Sequence, residues 1–175
     1  AYAALWDHWF HQPSGAAIVK GATVLLQNLL PAWRAWLSGK QLLWEERLDP
    51  AQLQVSPGGV QYKEAKARAL IFCEGAQTIH NPWFGPHIPY LLNKGEVLKV
   101  HIPGLDTENI IKRGVTLVPQ EKEVFWTGST FAWDYPDELP TAEKRAYLEE
   151  ALQQLLKVPY TVLDQQAGIR PSGKD

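Results

Sequence analysis

The sequence predicts an α+β fold in which a mostly antiparallel sheet is covered by one helix. Between residues 95 and 130, four short runs typical of strands follow one another over short connections, which favours antiparallel neighbours. One amphipathic segment comes after them, and strands grouped before a helix are typical of the α+β class. The 175 residues, 45% of them apolar, are enough to form the core of at least one domain.

The first third of the chain predicts a helix, a strand and a hairpin. Leucine and tryptophan recur at steps of three and four over residues 22–37, as on one face of a helix. Pro31 lies inside this pattern and is expected to kink or split the helix, and Gly39 is expected to cap it. A strand is predicted over residues 42–48. Two short alternating runs around residues 57–59 then predict a hairpin.

The following segment predicts a connector and then a buried strand. Residues 63–68 are rich in charge and are expected to form the connector, whereas residues 69–73 form a continuous apolar run. Such runs are typical of strands in mostly parallel sheets. The run ends at Glu74 and Gly75, and ligands gather at this end of the strands in open α/β sheets.

The rest of the chain predicts the antiparallel sheet and its covering helix. The predicted strands cover residues 95–102, 110–112, 115–118, 123–130 and 160–165. Thr141 is expected to cap the N-terminus of the helix, and Pro159 is expected to end it. The apolar face of this helix is predicted to consist of Leu148, Leu152, Leu155 and Leu156.

The strongest candidate for a binding residue is Arg170, in a predicted turn that follows the last strand. Gly168 gives the backbone freedom nearby, and Pro171 pushes Arg170 into an extended conformation. Its planar, permanently charged guanidinium is suited to gripping a carboxylate with two hydrogen bonds. The alternative interpretation is a surface arginine after a strand.

Composition argues against several classes of function. The formal net charge of −2 gives no electrostatic footprint for nucleic acid. No apolar run approaches the roughly 20 residues of a membrane span. The single cysteine, Cys73, excludes an internal disulfide and fits a reducing compartment, so we expect a cytoplasmic protein.

The sequence contains no complete motif for catalysis, metal binding or nucleotide binding. It has no Gly-x-Ser-x-Gly, no Gly-x-Gly-x-x-Gly and no phosphate loop. Cys73, His80 and His87 lack the usual spacing of zinc ligands, so no metal site is predicted and no catalytic residue is assigned. Gly95 and Gly128 lie in predicted strands, where a glycine marks either a bulge or a close backbone approach to a ligand.

Six short segments, taken in order, resemble the middle and later part of one family of flavoenzymes. That family comprises the FAD-dependent oxidoreductases related to D-amino-acid oxidase, glycine oxidase and sarcosine oxidase. The segments are Ser14-Gly15 with the helix and strand after it, residues 65–76, Lys94-Gly95-Glu96-Val97-Leu98, Gly128-Ser129-Thr130, Gly168-Ile169-Arg170-Pro171, and Asp175. The family's Gly-rich dinucleotide-binding turn and its last segment have no counterpart here, so we expect a fragment of such an enzyme.

The resemblance implies a function and a set of site residues. The family oxidises a small amine or amino acid by hydride transfer to FAD, giving an imine that hydrolyses. Arg170 would bind the carboxylate of the substrate, and Trp126 would line the substrate site. The residues that would contact FAD are Glu74, Gly75, Lys94, Gly95, Gly168 and Ile169.

The resemblance also implies a division into domains. Residues 1–80 would be a partial, Rossmann-like portion of the FAD-binding domain, residues 81–166 the substrate-binding subdomain, and residues 167–175 a return toward the FAD domain. The fragment alone is expected to be inactive, and no oligomeric state is predicted. The alternative is a non-catalytic module, which would bind carbohydrate through exposed tryptophans or serve as an interaction domain.

Overall fold

The structure, a computed structural model, describes residues 6–11, 17 and 19–173 and divides the chain into two compact units. The small unit is Gly21–His87, and the sheet unit combines the described residues of segment 1–20 with residues 88–173. These limits differ from the predicted boundaries at residues 80 and 166, and the functions predicted for those domains stay predictions. Ser14, Gly15 and Asp175 of the family resemblance lie outside the described residues.

The small unit contains one α-helix and a three-stranded antiparallel sheet. Its elements are α1 (Leu26–Gly39), β1 (Leu53–Ser56), β2 (Gly59–Tyr62) and β3 (Ala65–Ala67). The helix runs through Pro31 without being split, and Lys40 rather than Gly39 is its C-cap. Because α1 has no buried residue, water can replace the hydrogen bond that the proline cannot donate.

The predicted hairpin is confirmed. β1 and β2 pair antiparallel from Leu53 opposite Tyr62 to Ser56 opposite Gly59. β3 pairs with β2 inside the segment that was expected to be only a connector, so the hairpin becomes a small meander.

Two predicted strands of the small unit are wrong. Residues 42–48 and 69–73 form no strand, and the second segment is largely exposed, with 84% of Ile71 accessible to solvent. An apolar run alone does not make a strand, because a strand also needs a neighbour that pairs with its N–H and C=O groups. All pairings among the described strands are antiparallel, so they do not show the predicted Rossmann-like portion.

The sheet unit has the predicted antiparallel sheet and covering helix. Its elements are β4 (Tyr90–His101), β5 (Ile111–Arg113), β6 (Val115–Glu121), β7 (Val124–Gly128), α2 (Ala142–Leu155) and β8 (Thr161–Gly173). The strand order is β5-β6-β7-β4-β8, and every neighbouring pair is antiparallel. The α+β class is confirmed.

Helix α2 begins and buries its leucines as the sequence predicts. Oγ1 of Thr141 accepts a hydrogen bond from the backbone N–H of Lys144 at 3.3 Å, which caps the helix. The core between α2 and the sheet contains Phe10, Leu98, Val100, Ile102, Leu105, Val115, Leu117, Phe125, Leu148, Leu152, Leu155 and Leu156. In the part of the chain that the structure describes, no helix combines the length and the apolar character needed to cross a membrane.

Strand β8 is longer than predicted and includes Arg170. The predicted arginine turn is wrong, because the backbone continues to pair with β4 as far as Gly173 and places Arg170 opposite Asn93. Pro171 is tolerated there because β8 has a neighbouring strand on one side only among the described residues.

The side chains of β4 alternate between the two faces of the sheet. Leu98 and Val100 lie in the core beneath α2, whereas Asn93 and Gly95 lie on the opposite face. Residues paired across neighbouring strands share a face, so Arg170 lies on the same side as Asn93. We call this side of the sheet the Arg170 face.

Candidate functional site

The guanidinium of Arg170 is surrounded by neutral groups on the Arg170 face. We call these groups, from Asn93, Ser129, Thr130 and Phe131, the cradle. Its Nη2 donates hydrogen bonds to Oδ1 of Asn93 at 2.9 Å and to the carbonyl oxygen of Thr130 at 3.0 Å. Its Nη1 donates to Oγ of Ser129 at 3.2 Å. Its Cζ lies 4.4 Å from the centre of the Phe131 ring, a cation–π contact. No carboxylate among the described residues pairs with this guanidinium, so its positive charge can attract an anion.

Hydrogen bonds to β4 hold the segment that forms the cradle. The N–H of Thr130 donates to the carbonyl oxygen of Glu96 at 3.0 Å, and Oγ1 of Thr130 accepts from the N–H of Glu96 at 2.9 Å. Ala132 and Lys94 exchange two backbone hydrogen bonds of 2.8 and 2.9 Å. The chain therefore stays beside β4 after β7 ends, and this fixes Phe131 near the guanidinium.

Asn93 is a positioning residue for Arg170. It is only 1% exposed, and its Oδ1 accepts from the guanidinium. Within the described chain, Nδ2 of Asn93 and Nε of Arg170 are buried without a hydrogen-bond partner. Burying an unsatisfied donor such as Nδ2 costs about 1–3 kcal/mol. The hydrogen bond between Oδ1 and Arg170 therefore explains why an asparagine is buried at this place.

Two glycines face each other beside Arg170. Gly95 on β4 lies opposite Gly168 on β8. A Cβ on Gly95 would lie 2.9 Å from Cζ of Arg170 and 3.2 Å from the carbonyl oxygen of Thr130, so the guanidinium occupies the space of a side chain. A Cβ on Gly168 would meet no atom within 4 Å. The two glycines thus form a floor without side chains of its own, in which the guanidinium covers Gly95 and the Gly168 side is open.

Strand alternation separates residues that were predicted to contact one cofactor. Ile169 lies opposite Lys94, so both side chains lie on the face covered by α2. Gly95 and Gly168 lie on the Arg170 face. A group bound on the Arg170 face can therefore reach the open side-chain position of Gly168, whereas the guanidinium fills that of Gly95 and the side chains of the other two residues lie on the opposite face.

The side chain of Lys94 belongs to a buried ionic network. Its Nζ lies 3.5 Å from Oε1 of Glu96 and donates a hydrogen bond to the carbonyl oxygen of Leu139. Oε2 of Glu96 accepts from the N–H of Thr141 and from Nε2 of Gln165, each at 2.8 Å. The network joins β4 to the start of α2 and to β8, and a contact of Lys94 with a cofactor stays a prediction.

Trp126 shares the Arg170 face, but its backbone position lies several residues along the sheet from that of Arg170. It pairs with Lys99 of β4, whereas Arg170 pairs with Asn93. The two positions are separated along β4 by about 20 Å, at roughly 3.3 Å per residue. The guanidinium itself reaches over Gly95 toward Ser129, and the aromatic ring that contacts it is Phe131. A contact of Trp126 with the substrate stays a prediction.

Glu74 and Gly75 lie in the small unit and not at the end of a buried strand. They stand at the start of a 3₁₀-helix, Gly75–His80, and Oε2 of Glu74 accepts from Nδ2 of Asn81 at 2.7 Å. Gly75 has a φ of +56°, a conformation that favours glycine. Their contact with FAD stays a prediction. Across the described parts of the chain, no three His, Cys, Asp or Glu side chains come together as a metal site.

Sequence reasoning missed two residues whose side chains accept hydrogen bonds from the guanidinium: Asn93 and Ser129. Ser129 stands in a segment of the family resemblance but received no role there. Asn93 could have been found from alternation, because it precedes Gly95 by two residues on one face of β4. The predicted strand began too late, at residue 95, to include it.

No family model matches the chain. Among solved structures of similar fold, iminodiacetate oxidase from Chelativorans sp. BNC1 has 17% identity and a TM-score of 0.54, over 71% of this chain and 37% of its own. Glycine oxidase from Geobacillus kaustophilus has 21% identity and a TM-score of 0.51, over 67% of this chain and 32% of its own. Glycine oxidase from Bacillus cereus ATCC 14579 has 15% identity and a TM-score of 0.51, over 70% and 36%.

The predicted resemblance to these oxidases is confirmed for the fold. The chain spans about a third of the length of the oxidases it matches, which agrees with the expected fragment. At these identities the likeness concerns the fold alone. A fold alone determines neither the reaction nor the substrate or cofactor.

Proposed function

We propose that this chain is part of a flavin-dependent oxidoreductase that oxidises a small amine or amino acid carrying a carboxylate. The observation that carries the proposal is the guanidinium of Arg170, held by neutral groups beside the floor of Gly95 and Gly168. A cation fixed in this way keeps its charge for an external anion. The likeness in fold to amine oxidases supports the assignment.

In this proposal Arg170 anchors the carboxylate and so orients the carbon that bears the amine. Orientation of the reacting groups contributes a large part of the rate in reactions that depend on alignment. Asn93 and Thr130 hold the guanidinium, and Phe131 covers part of it from water. No acid or base of the chain is given a role.

FAD is the cofactor that the family resemblance implies, and the described residues fit one part of it. The backbone at Gly168 admits the close approach of a flat ring, since it has open space where a Cβ would lie, whereas the guanidinium of Arg170 covers Gly95. The described residues offer no glycine-rich turn at a helix N-terminus for the pyrophosphate. The other predicted contacts stay predictions. When bound, FAD supplies the acceptor for the hydride.

The proposal is tested with the full-length protein that carries this chain. The purified protein should show flavin absorbance and oxidise at least one amino acid. Arg170→Ala should then raise KM for that substrate on the order of 100-fold or more, because hydrogen bonds to a charged group are lost. Arg145→Ala, at an exposed arginine of α2 that pairs with Glu149, is the matched control and should leave KM unchanged.

Two results would count against the proposal. One is a protein that binds no flavin and oxidises no amine. The other is a KM that stays the same in Arg170→Ala, which would remove Arg170 from the substrate site while leaving the enzyme class untouched.

The alternative of carbohydrate binding predicts several tryptophans on one exposed face. Trp33 and Trp36 of α1 are exposed and stacked, with ring centroids 5.1 Å apart. The exposed Trp126 and Trp133 belong to the sheet unit instead. A single pair of rings stacked on each other identifies no ligand, so the oxidoreductase is the function we propose.

A further inference from the structure

The hydrogen-bond donors of Arg170 are unequally used. A guanidinium has five N–H groups, two of them on each terminal nitrogen. Nη2 uses both of its own for Asn93 and Thr130, and Nη1 uses one for Ser129. Nε is buried and has no partner in the described part of the chain. The second N–H of Nη1 is the donor that remains for a ligand.

This arrangement excludes the two-pronged grip that the sequence predicts. Either fork of a guanidinium uses Nη2 together with a neighbouring nitrogen. A ligand that took an N–H of Nη2 would have to displace Oδ1 of Asn93 or the carbonyl oxygen of Thr130. Both residues are buried, and a buried acceptor that loses its donor is costly. Nη2 therefore stays committed to the protein.

We propose that Ser129 completes the carboxylate site. In this arrangement the Ser129 hydroxyl and Nη1 of Arg170 each donate one hydrogen bond to the same carboxylate. Oγ of Ser129 accepts from Nη1, which leaves its own hydrogen free to be donated. The two donor atoms lie 3.2 Å apart, so the two oxygens of one carboxylate can each accept from one of them.

The exposure of the neighbouring side chains also indicates that a ligand binds on the Nη1 side of the guanidinium. Ser129 is exposed, whereas Asn93 and Thr130 on the other side of the guanidinium are buried. A ligand therefore reaches the Nη1 side first. The inference rests on the proposed function, which supplies a substrate that carries a carboxylate.

The test compares Ser129→Ala with Ser129→Thr in the full-length protein that carries this chain. The measurements are KM and kcat for glycine and sarcosine, and the dissociation constant of acetate, a carboxylate without an amine. Ser129→Ala should raise KM and the acetate constant together by about 10-fold, the effect of losing one hydrogen bond to a charged group. Its kcat should change by less than about 2-fold, because Arg170 still anchors the carboxylate and orients the bound substrate.

Two further variants make the result specific. Ser129→Thr keeps the hydroxyl and should bind acetate within a few-fold of the wild type. Ser56→Ala removes an exposed hydroxyl from β1 in the small unit, where it donates to the carbonyl oxygen of Gly59, and should change none of the constants.

The outcomes separate this inference from the proposed function. If Ser129→Ala binds acetate as tightly as the wild type while Arg170→Ala does not, Ser129 is no ligand contact and the proposed function stands. If Ser129→Thr is as weak as Ser129→Ala, or if the wild type binds no acetate, the inference is overturned. If the wild type binds acetate but oxidises no amine, the proposed function fails, and the acetate constants alone decide the role of Ser129.

Discussion

At the scale of single residues, the two cations beside the glycine floor differ in their partners. Lys94 points under α2, where Glu96 balances its charge at 3.5 Å. Arg170 points to the opposite face, where an amide oxygen, a carbonyl oxygen, a hydroxyl and an aromatic ring hold it without balancing its charge. The first arrangement serves the fold, and the second leaves a positive charge for a ligand.

The space around Arg170 makes Gly95 hard to replace. In Gly95→Ala the added methyl would meet the guanidinium and the carbonyl oxygen of Thr130. We expect a loss of about 1–3 kcal/mol in the free energy of unfolding, the usual cost of overpacking, measured by urea denaturation. The loss should be smaller when Arg170→Ala is already present, since that change removes the atoms nearest to the methyl.

Gly168→Ala is the matched control for this prediction. Gly168 is the cross-strand partner of Gly95, but its Cβ would meet nothing within 4 Å. An alanine in a strand is favoured over glycine by roughly 0.5–1 kcal/mol, so the protein should be as stable as the wild type or slightly more stable. Equal destabilisation by the two substitutions would show that the guanidinium does not fill the place of a Cβ at Gly95.

At the scale of elements, β4 serves the site with one face and the core with the other. Its Leu98 and Val100 pack beneath α2, and its Lys94 and Glu96 tie that helix to the sheet through Thr141 and Leu139. The cradle segment of residues 129–132 is bonded to the same part of β4. The rigidity of the site therefore depends on how firmly the core and the ionic network on the α2 side hold β4 in place.

Lys94→Met is expected to destabilise the sheet unit strongly. It would leave the buried carboxylate of Glu96 without its cation, and breaking a buried pair from one side costs about 3–5 kcal/mol. The double variant Lys94→Met with Glu96→Leu should be less destabilised than Lys94→Met, because no unpaired charge then stays buried. Urea denaturation of both variants measures the difference.

The same strand offers an exposed pair as the control. Nζ of Lys99 on β4 lies 3.2 Å from Oε1 of Glu121; the lysine side chain is 33% exposed and the glutamate side chain 69%. Lys99→Met should change the free energy of unfolding by at most about 1 kcal/mol. A similarly small loss in the free energy of unfolding for Lys94→Met would mean that water or a neighbouring charge compensates the charge of Glu96. The buried network would then not hold α2 to the sheet.

The sequence correctly predicts those elements whose hydrophobic pattern agrees with their capping residues and connections. Thr141 followed by leucines on one helical face gives α2, and alternation with short connections gives the antiparallel sheet. Residues 42–48 and 69–73 had only apolar character in their favour. A buried strand needs apolar residues, but it forms only where a neighbouring strand pairs with it. The sequence does not show which segments become neighbours.

Only some residues of the candidate site are predicted from the sequence, for a similar reason. Arg170, Gly95 and Gly168 carry strong local signals of charge and backbone freedom, and the structure does bring them together. Ser129 carries none, since a serine next to a glycine is ordinary in many loops, and Asn93 shows only its alternation with Gly95. Their roles arise from register across three strands, which only the folded chain reveals.

At the scale of the whole molecule, the sheet unit is built from two distant parts of the sequence. Phe10 joins its core, and the N–H of His11 donates to the carbonyl oxygen of Leu155 at 2.9 Å. The N–H of Lys157 donates to the carbonyl oxygen of Trp9 at 2.8 Å. The small unit, Gly21–His87, stands between these parts in the sequence, so each unit is expected to respond separately to a change in its own core.

Phe10→Ala tests whether the units respond separately. Removing this buried ring should cost the sheet unit about 3–5 kcal/mol, through lost contacts and a cavity under α2. Backbone amides of β4 and α2 should then exchange hydrogen faster, while those of the β1–β2 hairpin keep their rates. Val55→Ala, at an exposed position of that hairpin, should alter neither set. Equal acceleration in the hairpin would show that both units unfold as one, because only a shared opening reaction exposes amides in both.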